Sequence, residues 1–280
     1  TLGSDDADSL KKTTPQLRFI KKIGSVTPGA LVGRMDKEEL PFKDVRVRQA
    51  LSMSINRQEL VDHLYNGEAD VYFPYGPLLD YKDIFVDIKD MSPLAQEIMS
   101  YNPAKAKQLL KEAGYPNGFK TSIITTAANV DLLAVIKEYY LAIGVDMALD
   151  VRDTGIVSTM ARDRTYPAMT YTGTYENSFP FKMHGVRKES TVAVGLFPDN
   201  PISRAAFNKL NQNLGRSDAK VAGVLKELAP FLVEQVVWGT VLPAQREFEF
   251  YWPWVKNFNG ESSVGYYEST ENVRWIWVDQ

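Results

Sequence analysis

The sequence predicts an α/β fold with helices packed on a sheet, and three observations carry that prediction. Between Phe119 and Thr174 strand-like and helix-like patterns alternate, which is the rhythm of strands laid side by side with helices crossing over them. Inside that region Leu132, Leu133, Ile136, Tyr140 and Ile143 recur at helical spacing, whereas Met147, Leu149 and Val151 alternate with Ala148, Asp150 and Arg152 as in a half-buried strand. Upstream, Pro41 to Gly67 reads as two short helices whose apolar stripes need a core to press against. A chain of 280 residues, 44% hydrophobic and 24% charged, can bury one large core or two small ones.

Taken in order, Asp5 to Lys12 is a polar, solvent-facing helix and Leu17 to Ile23 has the partial alternation of a strand. The acids at 5, 6 and 8 lack the glycine and distal glutamate of a calcium loop, so a solvated terminus is the better reading. Ala30 to Met35 is a further strand. Asp44 caps the first helix of the pair, with Val47, Ala50, Leu51 and Ile55 on its apolar face. Asn56 with Glu59 forms a capping box for the second, where Leu60, Val61 and Leu64 supply the stripe and Gly67 the stop. Residues 68–85 follow neither period and read as a long ordered loop. Asp80, Asp83, Asp87 and Asp90 make a wet surface. Asn102 and Pro103 start a helix that Gly114 ends, and Pro116-Asn117-Gly118 turns into a strand over Phe119 to Thr126. Helices follow over Val130 to Ile143 and Ile156 to Arg164, and a strand over Met169 to Thr174. Ser203 to Leu214 and Ser217 to Gln235 are helical, Pro230 ending or kinking the second. Val236 to Leu242 is strand-like, and Arg246 to Gln280 is aromatic-rich with β-type residues.

The run Pro41-Phe42-x-Asp44-x-Arg46-Val47-Arg48-x-Ala50, followed by Ile55-Asn56-Arg57-x-Glu59-Leu60, resembles the signature of family 5 extracellular solute-binding proteins, the peptide- and nickel-type receptors of ABC importers. A second block, Tyr101-Asn102-Pro103-x-Lys105-Ala106-x-x-Leu109-Leu110-x-x-Ala113-Gly114-Tyr115, resembles the next segment of that family. The resemblance implies the carboxy-terminal lobe of a type II periplasmic-binding-protein-like fold, a mixed sheet with helices packed on it. Members are roughly twice as long, so the first lobe would precede Thr1. Residues 1–29 would then be a crossover or hinge segment, 30–245 the ligand-binding lobe, and 246–280 a tail that packs on the missing amino-terminal lobe. Implied partners are a small-molecule or peptide ligand and an ABC permease. The location implied is extracytoplasmic, with a lipid anchor at the missing N-terminus.

The residues themselves exclude much chemistry. With no cysteine there is no thiolate nucleophile or cysteine metal site. The formal charge of -3 gives no footprint for nucleic acid. Phosphate loop, GxSxG elbow and HExxH are all absent, and the two histidines, His63 and His184, stand far apart, so no cofactor is expected and a histidine-rich metal site cannot be built. His63 lies on the polar side of its helix, and His184 sits in a loop, either as plain surface or as a ligand contact.

Two stretches are candidates for binding. Tyr72, Phe73 and Tyr75 lie in the long loop and either cover the helix pair or form part of a concave wall. Tyr171-Thr172-Gly173-Thr174-Tyr175-Glu176-Asn177 follows a strand, and ligands of open α/β sheets gather at carboxyl strand ends. The resemblance makes this the segment that reads Gly-Trp-x-x-Asp in peptide-binding relatives, where the aspartate pairs with the peptide's amino group. Gly173 matches, Thr174 replaces the tryptophan, Asn177 replaces the aspartate, and Tyr171 holds the earlier contact position. Asparagine lacks the charge to balance a buried ammonium. Either Glu176 substitutes or the ligand is not a free-amine peptide, and a plain strand-end turn stays open beside both. Lys182, Arg187 and Lys188 follow in the same loop, while Arg46 and Arg48 read as structural ion-pair partners. The reading that results is a substrate-capture lobe that makes and breaks no bond. A ligand-sensing domain of a regulatory protein and a carboxylate-pair hydrolase are its rivals.

Overall fold

A computed structural model of the chain describes residues 2, 4–23, 28–74, 83–173, 200–213, 216–258 and 276–279. Its centre is a mixed sheet of strands β2 (Gly29–Gly33), β4 (Phe119–Thr125), β5 (Val145–Val151), β6 (Met169–Gly173) and β7 (Thr240–Val241), in the order β5-β4-β6-β2-β7. β4 runs parallel to β5 and β6, while β2 lies antiparallel to both β6 and β7. The carboxyl ends of β4, β5, β6 and β7 therefore share one rim with the start of β2. A second, antiparallel sheet joins β1 (Arg18–Ile23), β8 (Ala244–Tyr251) and β3 (Ala69–Asp70) in the order β1-β8-β3, so early and late segments of the chain are neighbours. Lys22 pairs with Glu249, and Arg246 holds Asp70 through two short bonds. The helix α1 (Ser4–Thr13) packs on this sheet, with the Lys11 ammonium over the rings of Phe19 and Phe248.

The helix pair forms as its caps dictate. Asp44 accepts from the Arg46 N–H at 2.8 Å to open α2 (Val45–Met53), and Asn56 accepts from Glu59 to open α3 (Arg57–Glu59). Glu59 reaches back to the Asn56 side-chain amide, and also accepts from the Tyr139 hydroxyl. The helix then widens into a π-turn over Leu60–Leu64 and ends at Asn66 and Gly67, both left-handed. Where the sequence suggests one apolar face for α2, the structure buries it all round from Val47 to Met53, including Arg48, Gln49 and Ser52.

Those polar groups are satisfied by the ends of other helices. Arg48 donates to the carbonyls of Phe42, Lys43 and Gln235, and Gln49 to that of Glu234. Gln235 caps α9 (Asp218–Glu234). Arg57 donates to the carbonyls of Ser52, Met99 and Val241 and to the Ser52 hydroxyl, which in turn donates to Ile98. Met99 ends α4 (Pro93–Met99). Arg46 spans Asp44 and the carbonyl of Glu112, the last residue of α5 (Pro103–Glu112). Burial lowers the pKa of both Arg48 and Arg57 to about 10, which leaves them charged at neutral pH. Arg46 is the ion-pair partner the sequence suggests, whereas Arg48 turns inward onto carbonyls.

Elsewhere the elements follow their signals. α5 is capped by Asn102, and α6 (Val130–Ala142) buries Leu133, Ile136 and Tyr140. α7 (Thr154–Asp163) and α8 (Pro201–Asn213) lie where helices are expected. Two expectations are corrected. Of the end or kink expected at Pro230 the end does not occur: α9 runs through it, its apolar face locked down by Leu225, Leu228, Leu232 and Val233. Val236 to Leu242 is a strand only at Thr240–Val241. Val236 takes a left-handed φ of 48° and closes α9 with bonds from its N–H to Val233 and from the Val237 N–H to Leu232. A last pair, β9 (Val255–Lys256) and β10 (Trp277–Val278), lies near exposed Trp252 and Trp254, whose rings stack at 4.6 Å. Among the described residues no helix is long and apolar enough to cross a membrane.

Arg57→Met should destabilise the chain by about 3 kcal/mol, because each buried carbonyl left unpaired costs about 1–3 kcal/mol. Urea unfolding with an unchanged slope checks this. Hydrogen bonds from Arg46 hold the Asp44 carboxyl below its ordinary value of 3.8, so its charge stabilises the fold above that pH and ceases to as pH falls through the lowered value. Asp44→Asn, which keeps an acceptor at the cap, should therefore cost about 0.5 kcal/mol at pH 7 and progressively less as pH falls below 3.8, measured by the same unfolding curves.

Candidate functional site

The rim at the carboxyl ends of β4, β6 and β7 is where the sequence places binding, and the register shows what stands there. Tyr171 pairs with Leu31, and Leu31 with Thr240, so these three point to one face of the sheet. Gly29, Leu31 and Gly33 alternate onto that same face of β2. A Cβ on Gly33 would fall 2.2 Å from the Phe42 ring, and one on Gly29 only 1.9 Å from the Tyr171 hydroxyl oxygen. Glycine at 29 is thus what lets the Tyr171 ring lie down across the start of β2. The helix pair, entered just after Phe42, covers this face.

Tyr171 is half-buried, and desolvation pushes its phenol up to about 12, with Tyr65 adding to the shift. Tyr65, the residue that caps the π-turn, is also half-buried, and burial raises its phenol too. Both are neutral at physiological pH. Arg57, at the start of the second helix of the pair, is held on the Val241 carbonyl at the end of β7 at 2.9 Å.

Tyr72 and Phe73 both lie in the interior, 4% and 3% exposed. Phe73 meets Trp238 edge-on at 5.3 Å. The Tyr72 hydroxyl is buried with no hydrogen-bond partner among the described residues, and desolvation raises its pKa. The backbones of Thr172 and Gly173 complete β6 opposite Ala30 and Gly29. Tyr75, Thr174, Glu176, Asn177 and His184, with Lys182, Arg187 and Lys188, lie outside the described residues. His63 is exposed. Among the described residues no group of three or more His, Asp or Glu side chains is placed to hold a metal.

Sequence reasoning passed over Gly29 and Tyr65. A glycine opening a strand signals close approach of another group, but what approaches is set by register. Tyr65 carried no signal, since the π-turn that places it is not visible in a 3.6-residue pattern.

Residues 3–183, well over half of the chain, match the profile of the family described as "Bacterial extracellular solute-binding proteins, family 5 Middle". The chain belongs to this family. Heme-binding protein A of Haemophilus influenzae is 34% identical over 112 residues, which are 39% of this chain and 18% of the relative. The glutathione-binding protein GsiB of Pectobacterium atrosepticum is 32% identical over 124 residues, 43% of this chain and 22% of that protein. In three dimensions the chain is similar to the periplasmic binding protein DppA of Helicobacter pylori, solved with the peptide STSA, with a TM-score of 0.73 at 19% identity. That match covers 99% of this chain and 51% of the other, so the chain spans about half the length of the solved relative. The type II lobe with a mixed sheet that the sequence suggests is the fold observed.

Gly29→Ala should destabilise the chain by about 1–3 kcal/mol through overpacking. Tyr171→Ala in the same chain should remove most of that penalty, giving a coupling energy of the same order in a double-mutant cycle read by urea unfolding.

Proposed function

We propose that the chain is one lobe of a two-lobe clamp that captures a peptide or peptide-like solute outside the cytoplasm and delivers it to an ABC permease. The observation that carries the reading is a family 5 lobe in which β4, β6 and β7 end on one rim, where Tyr171 and Gly173 close β6 opposite Leu31 and Gly29. The half-length match to a relative solved with a peptide supports a second wall elsewhere in the whole protein, and the glutathione-binding relative supports peptide-like cargo.

On this reading residues 1–29 and the β1–β8 pair lie at the hinge, and the stacked Trp252 and Trp254 with Trp277 belong to the surface that meets the other lobe. On the same reading Thr172, Thr174, Glu176, Asn177 and His184, with Tyr72, Phe73 and Tyr75, contribute to the ligand wall beside Tyr171 and Gly173. A lipid anchor outside this chain holds the protein at the membrane. Hinge closure over the solute is the working step, and no bond is made or broken.

One wall leaves much of a solute in water, so this chain alone should bind peptides only weakly. Calorimetry against a mixture of di- to pentapeptides should give no saturable heat below about millimolar affinity, about 4 kcal/mol of binding. Micromolar binding by the chain alone would overturn the clamp reading.

A further inference from the structure

We propose that Tyr65 is a ligand-wall residue beside Tyr171, and that the two phenols together grip an uncharged hydrogen-bonding group of the solute, an amide of a peptide-like backbone, in preference to an ammonium. The inference rests on the rim being the solute wall and adds a residue and a chemistry to it.

The placement follows from three fixed points. Phe42 lies over Gly33 and Tyr171 over Gly29 on one face of β2, which sets the helix pair on that face. Arg57 then pins the start of the second helix to the Val241 carbonyl on β7 at 2.9 Å. β6 lies two strands away across β2, about 10 Å at ordinary strand spacing. From Arg57 the helix runs about two turns to Tyr65, a rise of about 11 Å, which matches that span. Both rings pack against the same core from its margin, and neither is closed to solvent. The π-turn contributes by rotation: the Tyr65 N–H bonds to Leu60 instead of to Val61 as in an α-helix, so the ring leaves the helix at an angle an α-turn would not give.

The chemistry follows from charge. A phenol that stays protonated offers one donor and two acceptor sites, the complement of an amide. An ammonium moved onto a half-buried wall needs a carboxylate to offset its lost hydration. The carboxylates of this helix are engaged on its outer side, Glu59 by Tyr139 and Asn56 and Asp62 by Gln58.

Tyrosine-ring-labelled chain titrated with N-acetylalanine N-methylamide, and separately with methylammonium, tests this by NMR. The Tyr65 and Tyr171 ring signals, assigned through Tyr65→Phe and Tyr171→Phe, should both move with the amide and not with the cation. Tyr65→Phe, which keeps the ring and removes one hydroxyl, should weaken the Tyr171 response at least about three-fold, while Tyr101→Phe leaves it unchanged. Ring signals that ignore the amide, or that respond equally to methylammonium, overturn the proposal. Because the probe is a bare amide and the readout local, this result is independent of the peptide calorimetry that tests the clamp, and either can fail alone.

Discussion

The structure depends on a set of donors that reach from one short helix pair to the carboxyl ends of other helices. Every α-helix leaves its last carbonyls without intrahelical partners, and those carbonyls carry the negative end of the macrodipole. Gathering three such ends around one core would be prohibitive without donors. Arg46 supplies α5, Arg48 and Gln49 supply α9, and Arg57 with Ser52 supplies α4 while tying in β7. Guanidinium suits the task because its planar fork serves several carbonyls at once, which an ammonium on a flexible stem does not.

This arrangement also explains why the helix pair can position a site. Arg57 fixes one end of α3 to the sheet, so the other end has a determined reach, and the glycines of β2 fix how closely rings approach. On the proposed reading the wall at the rim is built from rigid elements, with a strand supplying Tyr171 and a clamped helix supplying Tyr65. Held this way, the rings lose little freedom when a solute arrives, which is the condition for a specific contact to register as affinity.

Much of this was legible in the sequence. Caps at Asp44, Asn56 and Asn102 and the stop at Gly114 are local chemistry, and local chemistry is written in adjacent residues. The family signature was equally plain, but the role of its arginines was not: Arg48 looks like an exposed helix-start cation until the end of α9, far along the chain, is brought beside it. The same blindness applies to α9 and Val236, where tertiary burial overrides proline and β-branched preferences that hold in isolation. At the candidate site, Tyr171 was singled out because it follows a strand. Gly29 and Tyr65 were not, since register and a π-turn are properties of the folded chain.

A wall of neutral phenols binds weakly while water can reach it, because a solute amide then exchanges one hydrogen bond for another of nearly equal strength, a net gain of about 1 kcal/mol. Excluding water changes the balance, since a group left unpaired in a closed site carries its full desolvation penalty. In a clamp, the lobe that carries the wall can therefore be preorganised and yet bind poorly, and affinity appears only when the second surface arrives. The rigidity that the buried arginines give this lobe is suited to the proposed division of labour, in which the wall has one shape and closure decides which solutes can satisfy it.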